Sequence, residues 1–310
     1  MSQSVIRIAT RTSDLALWQA EYIAARLREL TAPPDVQIVP ITTSGDRDQT
    51  SPLQQFGGTG AFTKEVQNAV LDERADIAVH SLKDLPTVST NGLRLAAVPE
   101  RASTADVLVI PDGVTLPESA DEIPAIWNVG TGSPRRHALL RRLNPELKIS
   151  AIRGNVPTRL QKLDDGEFDA IVLAEAGLCR LGLEYRTFLR LTPPHFFPAV
   201  GQGALGIECR AADEETATLL QQIQCEKALR EVTAERTLLA ALQAGCHAPV
   251  GVAVRHVDDG LELTGVLLDL EGREFLIATH TGQPDAPAEI GNHVAQQLLD
   301  AGGAKLLGDS

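Results

Sequence analysis

The chain has 310 residues, 43% hydrophobic and 22% charged, which is room for two or three domains of ordinary globular composition. This excludes a disordered tail, a collagen-like repeat or a small disulfide scaffold, and with 4% aromatics the core must come from Leu, Val, Ile and Ala. The net charge of −13 argues against general affinity for nucleic acid or an anionic membrane.

The opening residues, Met1 to Thr10, carry neither a long apolar core nor a small-residue cleavage pattern, so a secretory signal is not expected. Val5–Ala9 reads as a strand. Ser13 and Asp14 then suit the start of a helix whose apolar spacing runs to about Leu30. Val36–Ile41 is a second strand, and Gly57-Gly58-Thr59-Gly60 is a loop. A helix over Phe62–Arg74 precedes a buried strand, Asp76–His80. The pattern restarts after Pro99–Thr104 with strands Ala105–Ile110 and Trp127–Gly130. Ser133-Pro134 then opens a helix to Leu143. Lys148–Ile152 is a strand, Asn155 caps a helix to about Gly166, Phe168–Leu173 is a strand, and Gly177–Leu183 is a short helix. Thr192–Pro198 is too proline-rich for either element, and Val200–Cys209 follows as a glycine-studded strand. Helices at 213–224 and 226–243 come next. Strands at 250–257, 261–268 and 274–281 and a helix at 286–301 close the chain.

Strands alternating with helices imply parallel sheets. The expected architecture is an α/β domain from 1–102 with 200–220, a second from 105–197, and an α+β domain from 222–310, with no internal repeat. No run approaches 18 apolar residues, so no membrane span is expected. Cys179, Cys209, Cys225 and Cys246 are separated by 30, 16 and 21 residues with no C-x-x-C. No metal site or redox pair is therefore expected, and the thiols fit a reducing cytoplasm.

Between Thr131 and Lys162 eight basic residues face one acid, Glu146, leaving −20 for the rest of the chain. Such a run is ordinarily a solvated face. Here seven of the nine Lys and Arg between 131 and 180 are Arg, whose planar fork grips carboxylates, and several stand at helix starts. This pattern suits a small, specific polyanion. Ligands of open α/β sheets bind beyond the carboxyl ends of the strands. The loops there carry Arg11-Thr12-Ser13, Ser81-Leu82-Lys83-Asp84, Ser133-Pro134-Arg135-Arg136 and Arg153-Gly154-Asn155. Arg135 and Arg136 oppose the macrodipole of the helix they start, which points to ligand binding at little cost to folding. Lys83-Asp84 is either a surface ion pair or an acid set in a basic pocket. Cys246, taken alone, reads as a small buried hydrophobe, with His247 beside it as a possible activator.

Taken together, Val79-His80-Ser81-Leu82-Lys83-Asp84-Leu85-Pro86, Gly130-Thr131-Gly132-Ser133-Pro134-Arg135-Arg136, Arg153-Gly154-Asn155-Val156-Pro157-Thr158-Arg159, Pro198-Ala199-Val200-Gly201-Gln202-Gly203, Glu235-Arg236 and Gly245-Cys246 resemble the porphobilinogen deaminase (hydroxymethylbilane synthase) family, collinearly over the whole chain. The resemblance implies a transferase of tetrapyrrole (porphyrin, haem) biosynthesis. It would condense four porphobilinogens head to tail into hydroxymethylbilane, with loss of ammonia, on a covalently held dipyrromethane cofactor. It implies two domains like type II periplasmic binding proteins, with the cofactor in the cleft between them, and a cytoplasmic monomer with no nucleic-acid or membrane partner. Cys246 would carry the cofactor and Asp84 would be the catalytic carboxylate. Lys83, Ser133, Arg135 and Arg136 would bind the cofactor, and Arg11, Ser13, Arg153, Arg159 and Arg180 the substrate. The crossings between the α/β domains, Pro99–Thr104 and Thr192–Pro198, are expected to act as hinges. Thr59 and Gln55 depart from the lysines common in the family, Asp14 from proline and Pro157 from glycine. Glu175 replaces a usually apolar residue and is expected to weaken Arg180 as a carboxylate ligand. The rival classes are a non-catalytic anion-binding module and a thiol acyltransferase using Cys246 and His247.

Overall fold

A computed structural model of the chain describes residues 5–43, 63–245 and 248–308. It divides into two compact units, residues 1–102 with 203–229 and residues 103–202 with 230–310.

In the first unit, strands β1 (Val5–Arg11), β2 (Asp35–Ile41), β3 (Ile77–Ser81), β4 (Leu93–Ala97) and β10 (Leu205–Arg210) form a sheet in the order β2-β1-β3-β10-β4. Side chains alternate between its faces. Ile6, Ile8, Ile77, Val79 and Ile207 pack with Ala20, Ile23, Ala24 and Leu27, one stripe of helix α1 (Asp14–Arg28) at helical spacing. Ala9 and Ala78 face the other way, onto Val66, Ala69 and Val70 of helix α2 (Lys64–Leu71). Arg7 donates to both carboxylate oxygens of Asp76, at 3.0 and 2.8 Å, and Asp76 also accepts from the Arg7 amide, pinning the entry of β3 to β1.

In the second unit, β5 (Asp106–Val109), β6 (Asn128–Gly130), β7 (Lys148–Ser150), β8 (Ala170–Ala174) and β9 (Phe188–Leu191) form a sheet in the order β7-β6-β8-β5-β9. Helices α3 (Pro134–Leu143), α4 (Val156–Asp164) and α5 (Glu175–Arg180) accompany it. A third sheet, β11 (Val250–Val257), β12 (Gly260–Leu268) and β13 (Phe275–Gly282), is an antiparallel meander. Its core is shared with helices α6 (Glu226–Ala241) and α7 (Pro287–Leu298) through Ala234, Leu238, Ile290, Val294 and Leu298.

The architecture is thus two α/β sheet domains and a smaller C-terminal α+β domain, and the expectation of parallel sheets is corrected. The sheets are mixed rather than parallel, because β10 runs antiparallel to β3 and β4, and β5 antiparallel to β8 and β9. Each reversed strand is the first its sheet receives after the chain crosses between units, so no crossover helix sets its direction. Both sheets also share one strand topology, a structural repeat without a visible sequence repeat. The C-terminal domain shares apolar contacts with the second α/β domain. Val266 and Leu268 lie in the same apolar cluster as Leu108, Leu139 and Phe196, and Arg142 of α3 stacks 3.9 Å over the Phe275 ring. Finally, the return crossing falls at 202/203, after Thr192–Pro198, whose Phe196 and Phe197 are core residues.

Candidate active site

In the first unit the strand ends converge on a small pocket. β1 ends at Arg11 and is followed by Ser13, which occupies the N-cap position of α1 although its hydroxyl makes no capping bond. β3 ends at Ser81, and a single 3-10 turn, Leu82–Asp84, carries Lys83 and the exposed Asp84. The turn is seated from below. The Leu82 amide donates to the Ala204 carbonyl at 3.0 Å, and the buried Leu82 side chain lies where a Cβ on Gly206 would stand, 2.7 Å away. Arg11, Ser13, Gln19, Thr63, His80, Ser81 and Asp84 are among the residues lining a cavity of about 70 Å³. Gln19 donates to the Ser81 hydroxyl at 2.7 Å. Behind the pocket, His80 Nε2 lies 3.1 Å from Glu208 Oε2, both side chains almost wholly buried. Gln67 donates to the same oxygen at 2.8 Å and accepts from Thr90.

In the second unit the two predicted caps form. Ser133 accepts from the Arg136 amide at 3.4 Å, and Asn155 from the Thr158 amide at 2.9 Å. Arg135 and Arg136 point inward, however. Arg135 Nη1 donates to Asp106 Oδ2 at 2.7 Å and to the Phe197 carbonyl, and Arg136 Nε donates to Asp106 Oδ1 at 2.9 Å and its Nη1 to the Val172 carbonyl. Asp106 is completely buried and takes a further bond from Gln202. Burial pushes its carboxyl up, but the two guanidiniums outweigh it and hold the group down at about 2. The expectation that these arginines matter little to folding is therefore corrected: they neutralise a buried acid 29 and 30 residues away.

Other parts of the basic window also serve the fold. Arg141 donates to the Pro145 carbonyl, Arg142 covers Phe275, and Arg159 donates to the Gly154 carbonyl at 2.8 Å. Arg153 is half-buried and Arg180 is buried at the end of α5. Glu175 accepts from Arg190 at 2.7 Å and from Ser103 at 2.5 Å. Cys246 and His247, and likewise Gln55 and Thr59 with the glycine-rich loop, lie outside the described residues. Cys179, Cys209 and Cys225 are free thiols, and burial pushes Cys179 and Cys209 up, away from the reactive thiolate. Among the described residues no helix is long and apolar enough to cross a membrane, and no three His, Cys, Asp or Glu gather to hold a metal.

Sequence reasoning missed Asp106, Gln19, Thr63 and the His80–Glu208 pair. Two of these had a signal. Asp106 opens a buried apolar run and Glu208 stands inside another, and a buried acid requires a partner.

Residues 6–218 match the family model "Porphobilinogen deaminase, dipyromethane cofactor binding domain", and residues 229–300 match "Porphobilinogen deaminase, C-terminal domain". The chain is 40% identical over 307 residues to a curated protein named porphobilinogen deaminase from Syntrophobacter fumaroxidans, covering 99% of this chain and 98% of that one. Solved structures resemble it more remotely. A double-mutant VFT2 domain of BvgS from Bordetella pertussis has TM-score 0.43 at 14% identity, over 71% of this chain and 86% of that one. An ancestral cationic amino acid solute binding protein has TM-score 0.43 at 16% identity, over 71% and 87%.

Proposed function

Because the chain belongs to the porphobilinogen deaminase family, we propose that it condenses four porphobilinogens head to tail into hydroxymethylbilane, with Asp84 as the catalytic carboxylate and Cys246 as the covalent attachment of a dipyrromethane cofactor. The observation that carries this reading is the pocket that places Asp84 beside Arg11 and Ser13 at the strand ends of the first unit.

Each pyrrole of the substrate bears an acetate and a propionate. Arg11 and Ser13 suit such arms, one by charge-assisted hydrogen bonding and the other through its hydroxyl and the amides of the α1 start. Lys83 adds positive charge next to Asp84, and Arg153 and Arg159 flank the start of α4 in the second unit. The donors of the first unit fit the carboxylates of a cofactor as well as those of a growing chain. When bound, the cofactor supplies a pyrrole α-carbon as the primer for extension. Asp84 opposes the positive charge that develops on the pyrrole nitrogen as the amine leaves, and as a base it takes the proton lost from the coupling carbon.

Intact-mass analysis tests the assignment. The wild-type chain should carry a dipyrromethane adduct, and Cys246→Ala should appear at its bare polypeptide mass, colourless in Ehrlich's reagent and inactive. Asp84→Asn should fold, retain covalent pyrrole and turn over about 10²–10³-fold more slowly. An adduct surviving in Cys246→Ala, or full activity in Asp84→Asn, would remove the corresponding assignment.

A further inference from the structure

Thr63 occupies the N-cap position of α2, where a threonine hydroxyl ordinarily turns back onto a backbone amide of the first turn. It makes no such bond here. Among the described residues its Oγ1 has no hydrogen-bond partner, and the residue is 1% exposed. Keeping a hydroxyl out of water without a partner is unfavourable, and valine would fill the same shape at no such cost. The residue also lines the cavity that holds Asp84. That cavity, about 70 Å³, has room for a small functional group of the substrate. Around it the Ser81 hydroxyl already receives Gln19, while His80 Nε2, 3.1 Å from Glu208 Oε2, is a second buried lining atom without a hydrogen bond and stands against an acid. The Thr63 hydroxyl and the exposed carboxylate of Asp84 are available to a ligand.

Arg11 and Asp84 divide the cavity by charge. A carboxylate arm is drawn to Arg11 and repelled by Asp84, whereas a cationic nitrogen is attracted to Asp84. The cationic group of porphobilinogen is its aminomethyl ammonium. We propose that the Thr63 hydroxyl binds this nitrogen and holds it as it departs as ammonia, an assignment that rests on the deaminase reading above. In that step the carbon–nitrogen bond breaks and its electron pair leaves with nitrogen as neutral NH₃. The positive charge passes to the pyrrole, whose nitrogen lone pair completes the new exocyclic double bond. The Thr63 oxygen accepts a hydrogen bond from the nitrogen before and after cleavage. When the next carbon–carbon bond forms, the proton released from the coupling carbon is taken by Asp84 and passed to ammonia.

Steady-state kinetics and thermal unfolding of holoenzyme, with adduct mass verified, test this on Thr63→Val, Thr63→Ser and wild type. For Thr63→Val we expect kcat to fall about tenfold, the KM for porphobilinogen to stay within about twofold, and Tm to hold or rise because no internal bond is lost. Thr63→Ser, which keeps the hydroxyl, should stay within about threefold of wild-type kcat. Wild-type kcat in Thr63→Val overturns the proposal. So does a raised KM at unchanged kcat, which would place a carboxylate arm at Thr63, or a lowered Tm in Thr63→Val, which would make the hydroxyl structural. A wild-type holoenzyme without deaminase activity would overturn the deaminase reading and this assignment with it, whereas an active wild type with an inert Thr63 overturns this assignment alone.

Discussion

Asp106 and its two arginines show how a single residue's setting governs both stability and the meaning of a mutant. Its carboxyl is held at about 2, below the ordinary 3.8, so its contribution is present above about pH 4 and is lost as pH falls through about 2. The difference corresponds to about 2 kcal/mol. Urea midpoints measured between pH 5 and pH 2 should decline across that window, and Asp106→Asn should flatten that part of the decline. Arg135→Leu leaves the buried acid paired with Arg136 alone, and the lost charge-assisted bonds should cost about 1.5–3 kcal/mol in urea unfolding. A loss of turnover in that variant would therefore report on folding before it reported on a ligand. Unchanged urea stability would show that Arg135 does not carry the acid.

At the scale of elements, glycines decide two close approaches. Gly206 of β10 leaves the space that Leu82 fills beneath the Lys83-Asp84 turn, so Gly206→Ala must displace the tip of the Leu82 side chain on which that turn is seated. We expect kcat to fall while the chain remains folded by circular dichroism, since the displaced atom is the tip of a side chain. Gly272, in the turn before β13, has φ of 69°, and a Cβ there would come within 2.3 Å of the Ala138 carbonyl on α3. Gly272→Ala should cost about 1–3 kcal/mol, measured by thermal unfolding, because backbone cannot give way as a side-chain tip can. Most elements were legible: apolar spacing marked α1, apolar runs marked β3, β5 and β8, and Ser133 and Asn155 marked their helices by the bond each makes. β4 and β9 were not legible, because each is a short edge strand carrying an arginine and largely half-buried, so its apolar pattern is weak.

Across the whole molecule, the crossings carry the prediction. Thr192–Pro198 was expected to bend, yet Phe196 and Phe197 are buried and the Phe196 amide donates to the Thr192 carbonyl. Hydrogen exchange should find the Phe196 and Phe197 amides as protected as those of β5, with no change when intermediates are trapped. Fast exchange there would restore the hinge. The basic window also looks different at this scale. Much of its charge is matched from within the second unit, by Asp106, by carbonyls and by the Phe275 ring, so it measures internal pairing as well as affinity for anions.

The element grammar, the two α/β domains with a smaller C-terminal one and the family were legible from the chain alone, because periodicity, caps and short motifs are properties of neighbouring residues. The sequence also singled out Asp84, Arg11 and Ser13, since charged and hydroxyl residues following apolar strands are visible in one window. Only the tertiary structure decided that Arg135 and Arg136 face Asp106, that β10 and β5 run against their neighbours, and that the buried Thr63 hydroxyl has no partner among the described residues. Each of these depends on what the chain brings alongside from tens of residues away. A side chain's local spacing records its own chemistry, whereas its charge balance and hydrogen bonds belong to the partners that folding supplies.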